Sequence, residues 1–228
     1  MSDDERTPER QDAGPLDDGR LDAALGERDD VRALFGGGYD RVRSFYEHLF
    51  ENGEPRGLIG PREPSRLWER HLINSAAVAQ FLPEFGSLLD IGSGAGFPGV
   101  VLAIMRPDMA VTLVEPMQRR CDWLGEIVDI CTLKNVTVTR ARAQEVDVRA
   151  DVVTSRAVAK LSSLARMSLP LVNAGGSMIA LKGRNAEAEC APAASVIRKL
   201  GGSPPRVMEA GTVKGIEPTY VVRVDKLP

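Results

Sequence analysis

The chain has 228 residues, with 29 lysines and arginines against 32 aspartates and glutamates, a formal net charge of -3 and 43 % apolar residues. That length suits one domain with a full core, and no stretch approaches the roughly 20 apolar residues that span a bilayer. The polar, acidic start reads as neither a signal nor a transit peptide, and Cys121, Cys131 and Cys190 form no CxxC pair and have no histidine nearby. A zinc site and a disulfide scaffold are therefore excluded, no metal is expected, and the thiols suit a reducing cytoplasm.

Charge is unevenly placed. Residues 1–30 carry 11 acids and 4 arginines, and the remaining chain carries 25 bases and 21 acids. A mildly basic body thus stands behind an acidic segment poor in aromatic and β-branched residues, and 1–30 is expected to be a disordered tail.

From residue 31, Val31, Leu34, Phe35, Tyr39, Val42, Phe45, Tyr46, Leu49 and Phe50 recur at three- and four-residue steps, broken by Gly36-Gly37-Gly38. That spacing predicts amphipathic helices. Residues 51–64 read as a Pro/Gly-rich loop, and a third helix starts near Ser65 with Trp68, Leu72, Ile73, Ala76 and Phe81 inward. The organisation expected is a helical extension over 31–85 and a second unit over 86–228.

In that second unit short apolar runs alternate with helical stretches. Strands are predicted at 87–91, 110–115, 135–139, 151–154 and 177–182, with helices near 97–106, 117–131, 160–171 and 185–200. Such alternation specifies an α/β fold, a mostly parallel sheet covered on both faces. The runs 206–210 and 220–224 leave no room for a crossover helix, so a closing antiparallel hairpin is expected. On the helix after the second strand, Met117, Cys121, Leu124, Val128 and Cys131 form a stripe that reads as core packing, while Arg119 and Arg120 read as a solvated face with RNA backbone contact as the alternative.

The strongest local signal is Leu88-Leu89-Asp90-Ile91-Gly92-Ser93-Gly94-Ala95-Gly96-Phe97-Pro98-Gly99. An apolar strand enters a glycine turn and a helix follows, which points to a nucleotide-like cofactor at the strand's carboxyl end. Gly94 to Gly99 matches the dinucleotide fingerprint GxGxxG, but that frame starts three residues past the strand. The frame Asp90-x-Gly92-x-Gly94-x-Gly96 starts at the strand end and places a carboxylate there, which repels a pyrophosphate and suits an ammonium and a sulfonium. S-adenosylmethionine is favoured, with an NAD(P)-dependent oxidoreductase as the alternative. Glu115, at the tip of the second strand, is spaced to accept hydrogen bonds from ribose hydroxyls under either reading.

With Arg70-His71-Leu72 before the first strand, the block 90–99, Ser155-Arg156-Ala157 after the fourth and Ala180-Leu181-Lys182-Gly183 at the fifth, the chain resembles the RsmG (GidB) family of bacterial small-subunit rRNA methyltransferases. The resemblance implies a class I methyltransferase fold, a Rossmann-like seven-stranded sheet with an N-terminal helical extension. It implies methyl transfer from S-adenosylmethionine to N7 of a guanine in the 530 loop of 16S rRNA, position 527 of the family's reference rRNA. It implies cofactor contacts at Gly92, Phe97, Ala143, Gln144 and Arg156, although the family usually carries Glu where Gln144 stands. Its expected partner is 16S rRNA, in the small subunit or an assembly intermediate, met by a cytoplasmic monomer without a membrane. A noncatalytic ribosome-assembly factor on the same fold, and a small-molecule methyltransferase, are the other readings.

The residues suit that chemistry. Guanine N7 has an in-plane lone pair and no proton to lose, so transfer to it requires alignment and exclusion of water and no general base. The fourth strand ends in Val153-Thr154-Ser155-Arg156 in place of an Asn/Asp-Pro-Pro-aromatic tetrad, and no cysteine stands directly after the fourth or fifth strand. Three positioning candidates emerge. Arg156 is read as touching the cofactor carboxylate, the target base or a phosphate, against a surface ion pair. Lys182 is read as meeting RNA phosphate or guanine O6, against a structural pair, and His71 as facing the cleft, against a hydrogen-bonded structural histidine.

Overall fold

The computed structural model describes residues 18–156, 158–211 and 213–228. Among these residues seven strands form one sheet in the order β3-β2-β1-β4-β5-β7-β6. They are β1 (Gly86–Ile91), β2 (Met109–Val114), β3 (Val136–Thr139), β4 (Ala150–Arg156), β5 (Val172–Lys182), β6 (Arg206–Ala210) and β7 (Thr219–Asp225). The first five run parallel, and β7 pairs antiparallel with both β5 and β6, so the closing hairpin falls where its sequence placed it. Strand β5 begins five residues earlier than expected. The added segment includes Asn173-Ala174-Gly175-Gly176, which a register shift absorbs, with Gly175 at φ +78°.

Among the described residues eight α-helices flank the sheet: α1 (Asp18–Gly26), α2 (Asp29–Phe35), α3 (Tyr39–Asn52), α4 (Asn74–Ala76), α5 (Gly99–Met105), α6 (Gln118–Ile130), α7 (Leu161–Ser168) and α8 (Ala186–Lys199). Alternation along β1 divides the core. Leu88 packs with α5, α6 and the N-terminal helices, and Leu89 and Ile91 pack with α7 and α8. Strand order reverses at β1 and β4, and in such sheets ligands sit in the crevice outside the carboxyl ends at that point.

The acidic tail expected over 1–30 is corrected where the structure describes it; residues 1–17 of that expectation lie outside the described residues. Helix α1 falls within it, and its Asp22 is buried with Oδ2 and Oδ1 accepting the backbone N–H groups of Trp68 (3.0 Å) and Glu69 (3.1 Å). Burial pushes the Asp22 carboxyl up, against those hydrogen bonds. Trp68 is 1 % exposed and stacks on Tyr39 with ring centroids 6.1 Å apart. The helix expected from Ser65 is mixed: a π-helical stretch Trp68–Ile73 precedes α4, and a 3-10 stretch Ala77–Phe81 follows. No described helix is long and apolar enough to cross a membrane.

Candidate active site

The glycine turn leaves β1 at the crevice, with Gly92, Gly94 and Gly96 at φ +73°, +57° and +114°. These are left-handed conformations in which an L side chain is strained. Gly99, the first residue of α5, is required for space instead: a Cβ there would lie 2.5 Å from Asp90 Oδ2 and 2.4 Å from Leu113. That close approach lets Asp90 Oδ2 accept the Gly99 N–H at 3.1 Å.

Asp90 was expected to present its charge to a ligand. It is fully buried beneath the loop, absent from the cleft lining, and its Oδ1 has no partner among the described residues. Burial raises its carboxyl to about 7, above the hydrogen bond's opposing pull. Its work is therefore to tie the end of β1 to the start of α5.

Above the loop lies a cleft of about 530 Å³. Gly92, Ser93, Gly94, Ala95 and Phe97 form its floor and Glu115 lies at one end. Glu115 is 2 % exposed; its Oε2 accepts the Gly94 N–H and its Oε1 the Met117 N–H, both at 3.0 Å. One lone pair on each oxygen remains free to accept a further hydrogen bond. At the other end Arg156, the last residue of β4, and Val158 enter the wall. The Arg156 Nη1 is buried with no hydrogen-bond partner among the described residues, and burial lowers its pKa to about 10, so it stays protonated at neutral pH.

His71 does face the cleft. Its ring packs on Phe97 at 5.0 Å, and Phe97 also meets Phe45 at 5.3 Å and the Arg156 guanidinium at 5.5 Å. Burial, then the neighbouring Arg156, lowers the His71 pKa to about 4. The neutral imidazole thus donates Nε2–H to the Glu63 carboxylate. Burial pulls Glu63 upward, but His71, Arg70 and Arg156 together hold it below the usual carboxylate range. An ionised Glu63 therefore offsets the Arg156 charge.

Several predicted residues are not brought to this cleft. Lys182 donates to Glu189 Oε2 (2.8 Å) and to the Ala159 carbonyl (2.7 Å), so its ammonium is held by α8 and the chain after β4, away from the cleft lining. Lys182 thus makes an ion pair with Glu189, and it lines a separate cavity at the end of β5. Ala143 is buried and Gln144 exposed beside a separate cavity of about 430 Å³, and Gly96 packs under Phe45 and Val100. Conversely, three residues read otherwise belong to the lining. Met117, assigned to core packing, is 41 % exposed there. Arg120, assigned to a solvated face, has Nη1 3.7 Å from Glu115 Oε2 and a buried Nε without a partner among the described residues. Its signal was position: the first turn of a helix following a parallel strand stands at the sheet's carboxyl edge. Glu63 comes from the 51–64 loop, which with Leu58 and Ile59 roofs the cleft; no periodicity marks such a residue.

Among the described residues no cluster of three metal-ligating side chains occurs. The family model described as GidB, rRNA small subunit methyltransferase G, matches residues 39–214. A protein named ribosomal RNA small subunit methyltransferase G from Pseudarthrobacter chlorophenolicus is 47 % identical over 206 residues, covering 90 % of this chain and 95 % of its own. One of the same name from Beutenbergia cavernae is 49 % identical over 195 residues, covering 85 % and 92 %. Among solved structures, a SAM-dependent O-methyltransferase from Thermotoga maritima aligns with a TM-score of 0.54 at 15 % identity, over 68 % of this chain and 64 % of that one. M. jannaschii TYW2 in complex with AdoMet aligns at 0.53 and 18 %, over 66 % and 72 %. At those identities the likeness speaks to the fold alone.

Proposed function

We propose, from the premise that this chain belongs to the rRNA small subunit methyltransferase G (GidB) family, that it methylates N7 of a guanine in the 530 loop of 16S rRNA with S-adenosylmethionine as donor. The observation that carries the reading is Arg156: a charged, half-buried side chain whose Nη1 is buried and without a partner among the described residues, in the wall of the cleft above the glycine turn. Leaving such a donor unsatisfied costs about 1–3 kcal/mol or more, which a bound acceptor recovers. The dinucleotide alternative is not favoured by the family membership.

The residues present fit the cofactor. Glu115 would take the ribose hydroxyls, the backbone of Gly92 to Gly94 would lie against the ligand, and Leu58, Ile59, Phe97 and Met117 offer apolar surface. When bound, the cofactor supplies a methyl group on a sulfonium as the electrophile. Methyl transfer from it to the N7 lone pair would exchange a C–S bond for an N–C bond without moving a proton. The cleft suits that demand. His71 at a pKa of about 4 is a weak base whose Nε2–H is committed to Glu63, and Glu63 is itself ionised and paired. Arg156 would meet an oxygen of the cofactor or the target, and Glu63 would oppose the positive charge that develops on the methylated ring.

The working unit of this reading is the sheet domain with its helical extension, acting as a cytoplasmic monomer on the small subunit or its assembly intermediate. Mass-spectrometric mapping of methylated guanines in rRNA from cells with and without the gene tests it, together with methyl transfer by the purified protein to subunits from the deletion strain. Loss of one 7-methylguanine in the 530 loop, restored in vitro, is expected. An unchanged methylation map would overturn the reading.

A further inference from the structure

A second cavity, of about 520 Å³, opens at the end of β5 beside the cleft. The helical extension contributes Arg66, Arg70 and Asn74 to it, and the chain after β5 contributes Arg184. Its rim is completed by Glu217 and Tyr220 of the β6–β7 hairpin. Arg70 is the shared wall: it lines this cavity while its Nη1 lies 3.5 Å from Oε1 of Glu63, which lines the cleft.

We infer that this cavity is the groove that holds the phosphodiester backbone flanking the target nucleotide, an inference that rests on the rRNA methyltransferase reading above. Sheet order gives the direction. Glu115, the ribose end of the cofactor site, stands at the end of β2, and Arg156 at the end of β4, with β1 between them. The reacting end of the cleft therefore points toward β4, and the next strand ends along that edge are those of β5 and β7, where the groove lies. A target base entering at Arg156 must bring its sugar-phosphate chain through that side.

The side chains suit a polyanion. Arg66, Arg70 and Arg184 have exposed guanidiniums, about half to three-quarters accessible, that offer bidentate donors to phosphate. Each rests on one carboxylate: Arg66 on Glu69 at 3.0 Å, Arg70 on Glu63, and Arg184 on Glu217. Exposed pairs of this kind are worth about 0–1 kcal/mol, so exchange of a carboxylate for a phosphate is inexpensive. The half-buried Tyr220 adds a ring at the rim. Arg119 and Arg140, exposed on α6 and after β3, lie at the far, ribose end and are assigned no part in it.

The double variant Arg66→Gln/Arg184→Gln tests this on small subunits from the deletion strain. Cofactor affinity by calorimetry is expected to match the parent. The KM for subunits should rise about tenfold with kcat little changed, and the log–log salt slope of subunit binding should shrink by about 1.4, near 0.7 for each phosphate lost from a single strand. Arg119→Gln/Arg140→Gln is the control pair and should leave KM and slope within twofold and 0.3 of the parent. An unchanged KM and slope in the first pair, or the larger loss in the control pair, overturns the groove. A parent protein that methylates no rRNA sinks the functional reading instead, so the two failures are distinguishable.

Discussion

Asp90 holds a titrating carboxyl where no water reaches it, and its raised pKa has a definite thermodynamic sign. An aspartate moved from 3.8 to about 7 on folding binds more protons in the folded chain between those values. Its contribution is therefore most favourable below pH 4 and is lost as pH rises through 7. His71 works in the opposite sense: lowered from 6.5 to about 4, it supports the fold above pH 6.5 and loses that support toward pH 4. In the parent protein the two partly cancel. Asp90→Asn, which keeps an oxygen for the Gly99 N–H, should separate them. Denaturant titrations should give a stability gain over the parent that is near zero at pH 4, grows to pH 7 and is flat above, by about 4 kcal/mol at most. A gain independent of pH would show that the carboxyl is not buried charged. Arg156 gives a second contrast. Arg156→Ala removes a desolvated cation with an unpartnered Nη1, so the melting temperature should hold or rise. Methyl transfer to subunits should still fall about 10- to 100-fold, the value of one charge-assisted hydrogen bond.

At the level of elements, the contact between α1 and the π-helical stretch is the part of the fold that local patterning concealed. Leu21 and Leu25 give α1 a short apolar stripe inside a run of acids, and the partners of Asp22 lie 46 and 47 residues away. No window of sequence contains that information. The same is true of the Trp68–Ile73 stretch, whose wider winding departs from the 3.6-residue period used to find helices. Asp22→Ala should remove two hydrogen bonds and leave buried backbone donors, at about 2 kcal/mol by denaturant unfolding, with Asp22→Asn retaining most of it. By contrast, the inner strands β1, β2 and β4 and the glycine turn were legible, because a buried parallel strand is a short apolar run and a left-handed turn demands glycine; the edge strand β3 was legible from its β-branched Val-Thr-Val-Thr. Glu115 was legible from its strand. Arg120 and Glu63 were not, since which side of a helix or loop meets the cleft depends on how α6 and the 51–64 loop pack.

On the scale of the whole molecule, the helical extension is not a separate body. Val31, Phe35, Phe45 and Trp68 belong to one buried cluster with Leu88, Leu113 and Val221 of the sheet. Heat or denaturant should therefore unfold extension and sheet in a single transition. The chain's two tryptophans divide the labour of reporting it. Trp68 lies among α1, α2 and α3, while Trp123 is fully buried, donates Nε1–H to the Ala95 carbonyl at 3.0 Å, and carries His48 stacked on its face. Ala95 is part of the glycine turn itself. The molecule thus contains its own optical probe: in Trp68→Phe, the remaining emission comes from an indole bonded to the glycine turn. A titration with S-adenosylmethionine should shift or quench that emission and leave the Trp123→Phe variant dark to the same addition, giving an affinity without label or radioactivity.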